Sequence, residues 1–215
     1  LIYYSDLDNS EIVIDIEHLK KSFGKTEILK DINLQVERGE TVVTLGKSGT
    51  GKSVTLKCIV GLIYPDSGKV NVLGKDIPEL TYEALQHIRK KIGFVFQSAA
   101  LYDSMSVREN IEFPLDRNSD LDKDGITKRV EEVLNDVGLS DAIDKMPSEL
   151  SGGMKKRIAL ARTLILKPKI ILYDEPTSGL DPVTGKEISN LIVDIQKKYN
   201  TTSIIISHDL SCARI

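Results

Sequence analysis

The chain has 215 residues, of which 40% are hydrophobic and 28% are charged. These fractions are typical of a globular protein with a sizeable core, and they exclude a disordered or fibrous chain. The formal net charge of -3 gives no basic surface of the kind that nucleic-acid-binding domains carry, so we expect no nucleic-acid partner.

Cysteine content and the lengths of the apolar runs bear on the compartment. Two cysteines, Cys58 and Cys212, are too few for a disulfide framework and match no zinc pattern. The longest apolar runs, such as residues 170–173, are far shorter than the roughly 20 residues that span a bilayer. We therefore expect a reduced, cytoplasmic chain that does not itself cross a membrane.

From the N-terminus, the apolar pattern first alternates and then becomes continuous. Residues 12–16 and 32–36 carry apolar side chains at every second position, and residues 70–72 repeat this pattern, which predicts half-buried antiparallel strands. Continuous apolar runs indicate parallel strands covered on both faces. These runs are residues 42–45, 92–96, 170–173 and 203–206. The predicted fold class is α/β, with a mainly parallel core sheet and an N-terminal antiparallel β subdomain.

Residues 98–166 show helical periodicity instead, interrupted by a polar stretch at 116–125 that predicts a surface loop. We predict a single domain over residues 1–215. Its core is formed by residues 1–97 and 167–215, and the helical segment is an inserted lobe.

A GxxxxGKS motif occupies residues 46–53, after an apolar strand and before a helical stretch. Its glycines let backbone N–H groups approach phosphates, Lys52 reaches the β and γ phosphates, and the Ser53 hydroxyl binds Mg²⁺. The flanking strand and helix argue against a chance glycine-rich turn. The motif predicts a site for ATP and Mg²⁺. Its residues are Gly46, Lys47, Ser48, Gly49, Thr50, Gly51, Lys52 and Ser53, followed by Val54.

Two adjacent acids, Asp174 and Glu175, end the apolar run that begins at Ile170. Asp174 can hold the Mg²⁺ shell, and Glu175 can polarise the water that attacks the γ phosphate. Taken alone, the pair is also compatible with a solvated strand-end turn. Next to the phosphate-binding motif, the catalytic interpretation is favoured, because idle acids at a buried strand end are costly.

A second phosphate-binding surface is predicted at residues 150–154. Ser151, Gly152 and Gly153 stand at the start of a helix, where backbone N–H groups and a hydroxyl face an anion. The basic run at residues 155–157 follows, either as a solvated face or as additional phosphate contacts. One nucleotide cannot easily use both surfaces of one chain.

At this point the chain resembles the ATP-binding cassette (ABC) transporter family. The motifs stand in the family's order over almost the whole chain from about residue 12. They are GKSGTGKS at 46–53, Gln97, LSGGM at 150–154, ILYDEP at 171–176, SGLD at 178–181 and SHD at 207–209. The resemblance implies that the second surface completes the ATP site of a partner subunit, and that two copies close head to tail around two Mg-ATP.

The resemblance also implies roles for single residues. Phe23 resembles the aromatic residue that stacks on adenine, although an aromatic side chain near a hairpin also suits packing. Gln97 resembles the catalytic-site residue that binds and senses Mg²⁺ and links to the membrane subunit. His208 resembles the γ-phosphate contact, its alternative being a partly buried strand-end histidine.

Three further features follow from the same resemblance. Glu175 corresponds to the catalytic base, Asp181 to a cross-dimer contact, and Ser151 with Gly153 to the elements that complete the partner's site. Met154 departs from the family, which most often has Gln there, so a hydrogen bond from that side chain is in doubt.

Residues 97–107, with GKSV at 51–54 and ELSGGMKKR at 149–157, are similar to the ATPase subunits of lipid-asymmetry (Mla, or MCE-type) ABC systems. This similarity implies permease partners with a lipid-binding MCE component, phospholipid cargo, and a location on the inner face of the cell membrane.

Two other classes of ABC protein differ from this chain in sequence features. ABC ATPases of translation or DNA repair usually carry two cassettes or a long coiled-coil insertion, and the 215 residues contain neither. A regulatory cassette that binds ATP without hydrolysis typically lacks one of the residues at the positions of Glu175 and His208, and both are present.

Overall fold

The computed structural model of the chain describes residues 11–47, 49–116 and 118–208. Two four-stranded sheets and their covering helices make up the fold. The strands are β1 (Ile12–Phe23), β2 (Thr26–Glu37), β3 (Thr41–Leu45), β4 (Ser67–Val72), β5 (Lys75–Asp76), β6 (Ile92–Val95), β7 (Ile170–Asp174) and β8 (Thr202–Ser207). The helices are α1 (Lys52–Ile59), α2 (Tyr82–Arg89), α3 (Val107–Glu112), α4 (Lys123–Asp136), α5 (Gly152–Leu164) and α6 (Pro182–Tyr199).

The first sheet is antiparallel, in the order β2-β1-β4-β5. Ile14 of β1 lies between Val36 of β2 and Val72 of β4, and all three side chains are buried. The alternating pattern predicted this arrangement because every second residue of a half-buried strand faces the core. The predicted antiparallel subdomain is confirmed.

The second sheet is parallel, in the order β3-β8-β7-β6. Every residue of the two central strands, β7 and β8, is buried. The edge strand β3 is more open, and its last residue, Leu45, is 38% exposed. Parallel strands point the same way, so the segments that follow β3, β6, β7 and β8 emerge at one edge of the sheet.

The parallel sheet separates two hydrophobic cores, because successive residues of its strands face opposite sides. Leu172 and Ile204 face a core shared with the antiparallel sheet, α1 and α2. Ile171, Tyr173 and Ile205 face a core built with α3 to α6. The helices of residues 98–166 thus share one continuous core with the sheet and α6, and the boundaries predicted for this lobe stay a prediction.

The predicted polar loop at 116–125 is shorter in the structure, because α4 already begins at Lys123. The Asp122 side chain accepts a hydrogen bond from the Gly125 N–H at 2.8 Å. Such a cap satisfies one free donor of the first helical turn and allows a helix to begin within a polar sequence.

No helix within residues 11–47, 49–116 and 118–208 is both long enough and apolar enough to cross a bilayer.

The buried thiol of Cys58 gives a test of the first core. Burial raises the pKa of Cys58 to about 11, so at pH 8 about one thiol in a thousand is the reactive thiolate. We expect iodoacetamide to leave Cys58 unmodified in the folded protein at pH 8 and to modify it fully in guanidinium, measured by mass spectrometry of its peptide. Rapid modification without denaturant would contradict this packing.

Candidate nucleotide and catalytic site

The candidate site lies at the carboxyl edge of the parallel sheet. Gly46 follows β3, Gln97 follows β6 by one residue, Glu175 follows β7 and His208 follows β8. The structure brings the predicted phosphate loop, residues 46–53, to the same edge as the predicted acids. Ser48 and Asp209 lie outside the described residues.

The phosphate loop depends on glycines at its turn. Gly49 and Gly51 have φ angles of 80° and 89°, values that side chains with a Cβ rarely adopt. A Cβ on Gly51 would come within 2.6 Å of Leu29 Cδ2 and 2.9 Å of Ile28 Cγ2. Strand β2 therefore rests directly on this loop, and residue 51 must be glycine for both conformational and steric reasons.

Lys52 folds back over the phosphate loop. Its Nζ donates to the carbonyl oxygens of Gly46 at 2.6 Å and Lys47 at 2.8 Å, and the Thr50 hydroxyl donates to the same Lys47 oxygen. The ammonium thus lies over the concave face of the loop, where a phosphate bound by the backbone would meet it.

Val54 was predicted to contact the nucleotide. Its side chain packs against the first hydrophobic core. Any contact from Val54 would therefore involve its backbone N–H, which lies in the first turn of α1 and faces the helix N-terminus.

Ser53 and Asp174 meet across the sheet. The Ser53 hydroxyl donates to Asp174 Oδ1 at 2.7 Å, although the residues are 121 positions apart in the chain. Asp174 is buried. Hard oxygen ligands at a phosphate site suit Mg²⁺, which in nucleotide sites commonly takes one or two protein oxygens together with phosphate and water. The pair fits the predicted metal role of both residues.

Glu175 is the meeting point of the predicted catalytic residues. Its Oε2 accepts a hydrogen bond from Gln97 Nε2 at 3.1 Å and lies 3.2 Å from His208 Nδ1. The Glu175 side chain is only 13% exposed, while its φ of 50° is unusual for a residue with a long side chain. This backbone twist turns the carboxylate from the line of β7 toward Gln97 and His208.

Gln97 was predicted both as a catalytic residue and as a metal ligand. Its amide nitrogen bonds Glu175 and also the Ser178 hydroxyl at 3.1 Å, whereas Ser53 and Asp174 bond each other. Gln97 is thus placed with the predicted base. Its metal role stays a prediction.

Phe23 lies at the end of β1, where Gly24 turns the chain into β2. The ring is 49% exposed and the Lys21 ammonium lies 5.6 Å from its centroid. About half of the ring is therefore open to solvent, and the stacking role stays a prediction beside the packing alternative.

The signature loop, residues 150–154, leads into α5 with Ser151 as its N-cap. The Ser151 hydroxyl accepts a hydrogen bond from the Met154 N–H at 3.3 Å. Ser151 and Gly152 are both exposed to solvent. Gly153 is different: it is buried, and a Cβ there would come within 2.6 Å of Thr184 Cγ2. Gly153 therefore allows α5 to approach α6 closely, a packing role that the sequence interpretation missed.

The two predicted phosphate surfaces lie at opposite sides of the sheet. The phosphate loop continues from β3, one edge strand, whereas α5 packs against β6, the other edge strand. Three strand spacings amount to about 14 Å. The triphosphate of one nucleotide is much shorter than this separation, so it is not expected to contact both surfaces of the same chain.

The basic run at residues 155–157 is neither a solvated face nor a phosphate surface as a whole. Lys156 is buried, and its ammonium donates to the backbone oxygens of Gln97 and Glu175. Arg157 bonds the Val137 carbonyl and Glu187. For Lys156 both interpretations of the run are wrong, because its ammonium is buried against backbone oxygens. Arg157 is partly exposed, and a phosphate contact from its side chain stays a prediction.

Arg162 is a second residue that sequence reasoning missed. Its guanidinium donates to the carbonyl oxygens of Ala99 and Ala100, which have φ angles of 62° and 49°. Arg162 thus supports the strained turn after Gln97. The sequence around Arg162 gives no signal for this role, because the partners are backbone oxygen atoms 62 and 63 positions away in the chain.

Asp181, predicted as a cross-dimer contact, caps α6. Its carboxylate accepts from the N–H groups of Val183 at 3.0 Å and Thr184 at 3.1 Å. Hydrogen bonding to Thr184 lowers the pKa of Asp181. The intermolecular role stays a prediction beside this local one.

A glycine-rich loop between a strand and a helix, with a lysine, a hydroxyl and an acid at one sheet edge, defines a phosphate-loop nucleotide-binding domain. The family model of the ABC transporter matches residues 29–178. The chain belongs to the ABC transporter family, and its fold is that of the family's ATP-binding domains.

Individual relatives agree with this family. The probable ribonucleotide transport ATP-binding protein mkl of Mycobacterium leprae is 44% identical over 203 residues, covering 94% of this chain and 58% of the relative. Protein TRIGALACTOSYLDIACYLGLYCEROL 3 of Arabidopsis thaliana is 45% identical over 193 residues, covering 86% of this chain and 55% of the relative. The chain thus spans a little over half the length of these curated relatives.

A solved structure matches over most of both chains. The ATP-binding cassette MJ0796, in a dimeric post-hydrolysis state with ADP and Pi, gives a TM-score of 0.84 at 34% identity, covering 94% of this chain and 90% of that chain. The α/β fold with one parallel and one antiparallel sheet is therefore confirmed.

The steric role of Gly51 can be separated from its backbone role. A Gly74→Ala variant has open space around the new methyl group and a φ of 74°, so only backbone strain of about 1 kcal/mol applies. Gly51→Ala adds overpacking against Leu29, on the order of 1–3 kcal/mol. We expect the fall in Tm, measured by differential scanning fluorimetry, to be at least twice as large for Gly51→Ala. Equal shifts would show that β2 does not rest on this loop.

Proposed function

We propose that the chain is an ATP-hydrolysing subunit of an ABC transporter, and that two copies close head to tail around two ATP. The observation that carries this proposal is the separation of two phosphate-binding surfaces, the phosphate loop and the signature loop, at opposite sides of one sheet. Each surface is half of a site, and a second copy supplies the other half. The dimeric state of MJ0796 supports the arrangement by similarity.

Binding begins at the phosphate loop. Backbone N–H groups of the loop and of the first turn of α1 face the β and γ phosphates, and the Lys52 ammonium exchanges its carbonyl partners for phosphate oxygens. Phe23 stacks on the base. Ser53 and Asp174 would hold Mg²⁺, which neutralises charge on the phosphates during transfer.

Hydrolysis then depends on Glu175. A water between Glu175 and the γ phosphate can donate its proton to Oε2, and Gln97 and His208 hold that oxygen in place through the contacts described above. His208 would in addition contact the γ phosphate, as the family resemblance implies. Loss of the γ phosphate removes contacts that both chains share, so the dimer opens and moves its membrane partner.

Replacing the base should separate binding from turnover. Glu175→Gln keeps a polar group of the same size but cannot accept the proton, so we expect kcat to fall by at least about 100-fold. ATP binding should persist, and the variant should accumulate as an ATP-bound dimer. Phosphate release and light scattering measure the two effects, with Glu131→Gln on the exposed face of α4 as the matched control.

Replacing the phosphate-loop lysine should have the opposite effect on binding. Lys52→Ala removes a charge-assisted contact to the phosphates, which should weaken ATP affinity by about 10-fold or more. Fluorescent-nucleotide titration measures this change.

Normal turnover in Glu175→Gln would reject the assignment of Glu175 as the base. ATP binding by the unmutated chain without hydrolysis or dimerisation, even with its membrane partner present, would favour a regulatory ATP-binding module.

For the cargo, we propose phospholipid, with the chain held at the inner face of the membrane by permease subunits and an MCE-type lipid-binding component. The loop similarity at residues 97–107 supports this cargo, as does a relative named for a galactolipid. The mkl relative is named for ribonucleotide transport. The two names point to different cargo classes, so transport must be tested directly.

The cargo proposal calls for the complete transporter. The chain, purified with its membrane partners through an affinity tag and reconstituted, should hydrolyse ATP faster when phospholipid vesicles supply the cargo, and ribonucleotides should have no effect. Mass spectrometry of the copurified subunits should identify a permease and an MCE-type protein. Stimulation by ribonucleotides alone would replace phospholipid as the cargo while leaving the ATPase mechanism intact.

A further inference from the structure

One buried cation connects helix α5 to the catalytic edge. Lys156 is 7% exposed, and its side chain extends from the second turn of α5 to the ends of two strands. The Nζ atom donates to the Gln97 carbonyl oxygen and lies 3.4 Å from the Glu175 carbonyl oxygen. These two carbonyls belong to segments that follow β6 and β7.

A buried ammonium is stable only where hydrogen bonds and opposite charge replace its water. Here two carbonyl oxygens accept hydrogen bonds from the ammonium, while the Glu175 and Asp174 carboxylates supply the opposite charge. Burial lowers the pKa of Lys156 and the two carboxylates raise it. Because the ammonium has lost its hydration, its position is fixed by these partners rather than by solvent.

The two carbonyls come from the same residues whose side chains meet at the site. Gln97 Nε2 bonds Glu175 Oε2 at 3.1 Å, and Lys156 holds the backbone of both residues from the opposite side. Glu175 also has the strained φ of 50°. Its carbonyl accepts a second hydrogen bond, from the Ser178 N–H at 3.1 Å. Lys156 therefore helps to fix the turn that aims the carboxylate.

The same lysine stands on the helix that begins with the signature loop. Ser151 precedes Lys156 by five residues, about 7.5 Å of helix rise. A displacement of the N-terminus of α5 would therefore be transmitted to the backbones of Gln97 and Glu175 through the Lys156 side chain.

We propose that Lys156 is a positioning residue for ATP hydrolysis: its ammonium fixes the backbones of Gln97 and Glu175 relative to α5. This inference rests on the proposed ATPase function. In the closed dimer, Ser151 of one chain would contact ATP bound by the other chain. Through Lys156, that contact would influence the position of Glu175 in the same chain as Ser151.

The test is the split between kcat and KM. Lys156→Met keeps the aliphatic stem and removes the ammonium, and a small misplacement of catalytic groups is expected to lower kcat by about 10-fold or more. The KM for ATP and the affinity for a fluorescent ATP analogue should change by less than about twofold, because the phosphate loop is untouched. Lys156→Arg should recover most of kcat. Lys128→Met, an exposed lysine of α4, is the control.

A double-mutant cycle shows whether the effect passes through Gln97. If Lys156 acts by holding Gln97 and Glu175, Lys156→Met combined with Gln97→Ala should lower kcat by less than the product of the two single effects. Multiplicative effects would overturn the proposed coupling.

The remaining outcomes are also decisive. A folded Lys156→Met or Lys156→Gln variant with unchanged kcat overturns the proposal, as does an equal change in kcat and nucleotide affinity. If neither neutral variant folds, Lys156 serves folding alone and the positioning role is rejected. An unmutated chain without ATPase activity would instead reject the proposed function on which the inference rests.

Discussion

The parallel register of β3, β8, β7 and β6 is the constraint on which the site depends. Leu45 pairs with Ser207, Asp174 with Ile206, and Val95 with Tyr173, so the four strands end almost level. The chain then turns outward at Gly46, Gln97, Glu175 and His208. A shift of β7 by one residue would exchange Leu172 and Tyr173 between the two cores. The hydrophobic pattern that fixes the register therefore also determines where the site residues after each strand lie.

The polar side chains at this edge pair with one another and with the backbone. Lys52 bonds carbonyls of its own loop, Ser53 bonds Asp174, and Glu175 is held by Gln97 and His208. Buried polar groups without partners are costly, so this pairing stabilises the arrangement of the site. A phosphate that displaced any of these partners would gain less free energy than the number of its new contacts suggests, because each new contact would replace an existing one.

The sequence predicted those parts of the fold that rest on local rules. Continuous apolar runs located β7 and β8, and the glycine spacing located the phosphate loop, because each feature is decided by neighbouring residues. The role of Lys156 could not be predicted, since its partners are carbonyl oxygens 59 and 19 positions away and any residue type presents a carbonyl. The packing of Gly153 against Thr184 was missed for a related reason: glycine in a phosphate-binding pattern already had an explanation. The early start of α4 depends on the cap at Asp122, a residue that also suits a loop.

The contact of Gly51 with Leu29 has a consequence for nucleotide choice. Leu29 and Phe23 lie on the two strands of one hairpin, and that hairpin rests on the loop that binds phosphate. If Phe23 stacks on the base, the distance between the base and the phosphates is set by this rigid contact. Such a site is selective for the distance between base and phosphates, whereas an aromatic face accepts any purine. Discrimination between adenine and guanine would then require polar groups beyond the stacking ring, and the domain would select the distance between base and phosphates more strictly than the base itself.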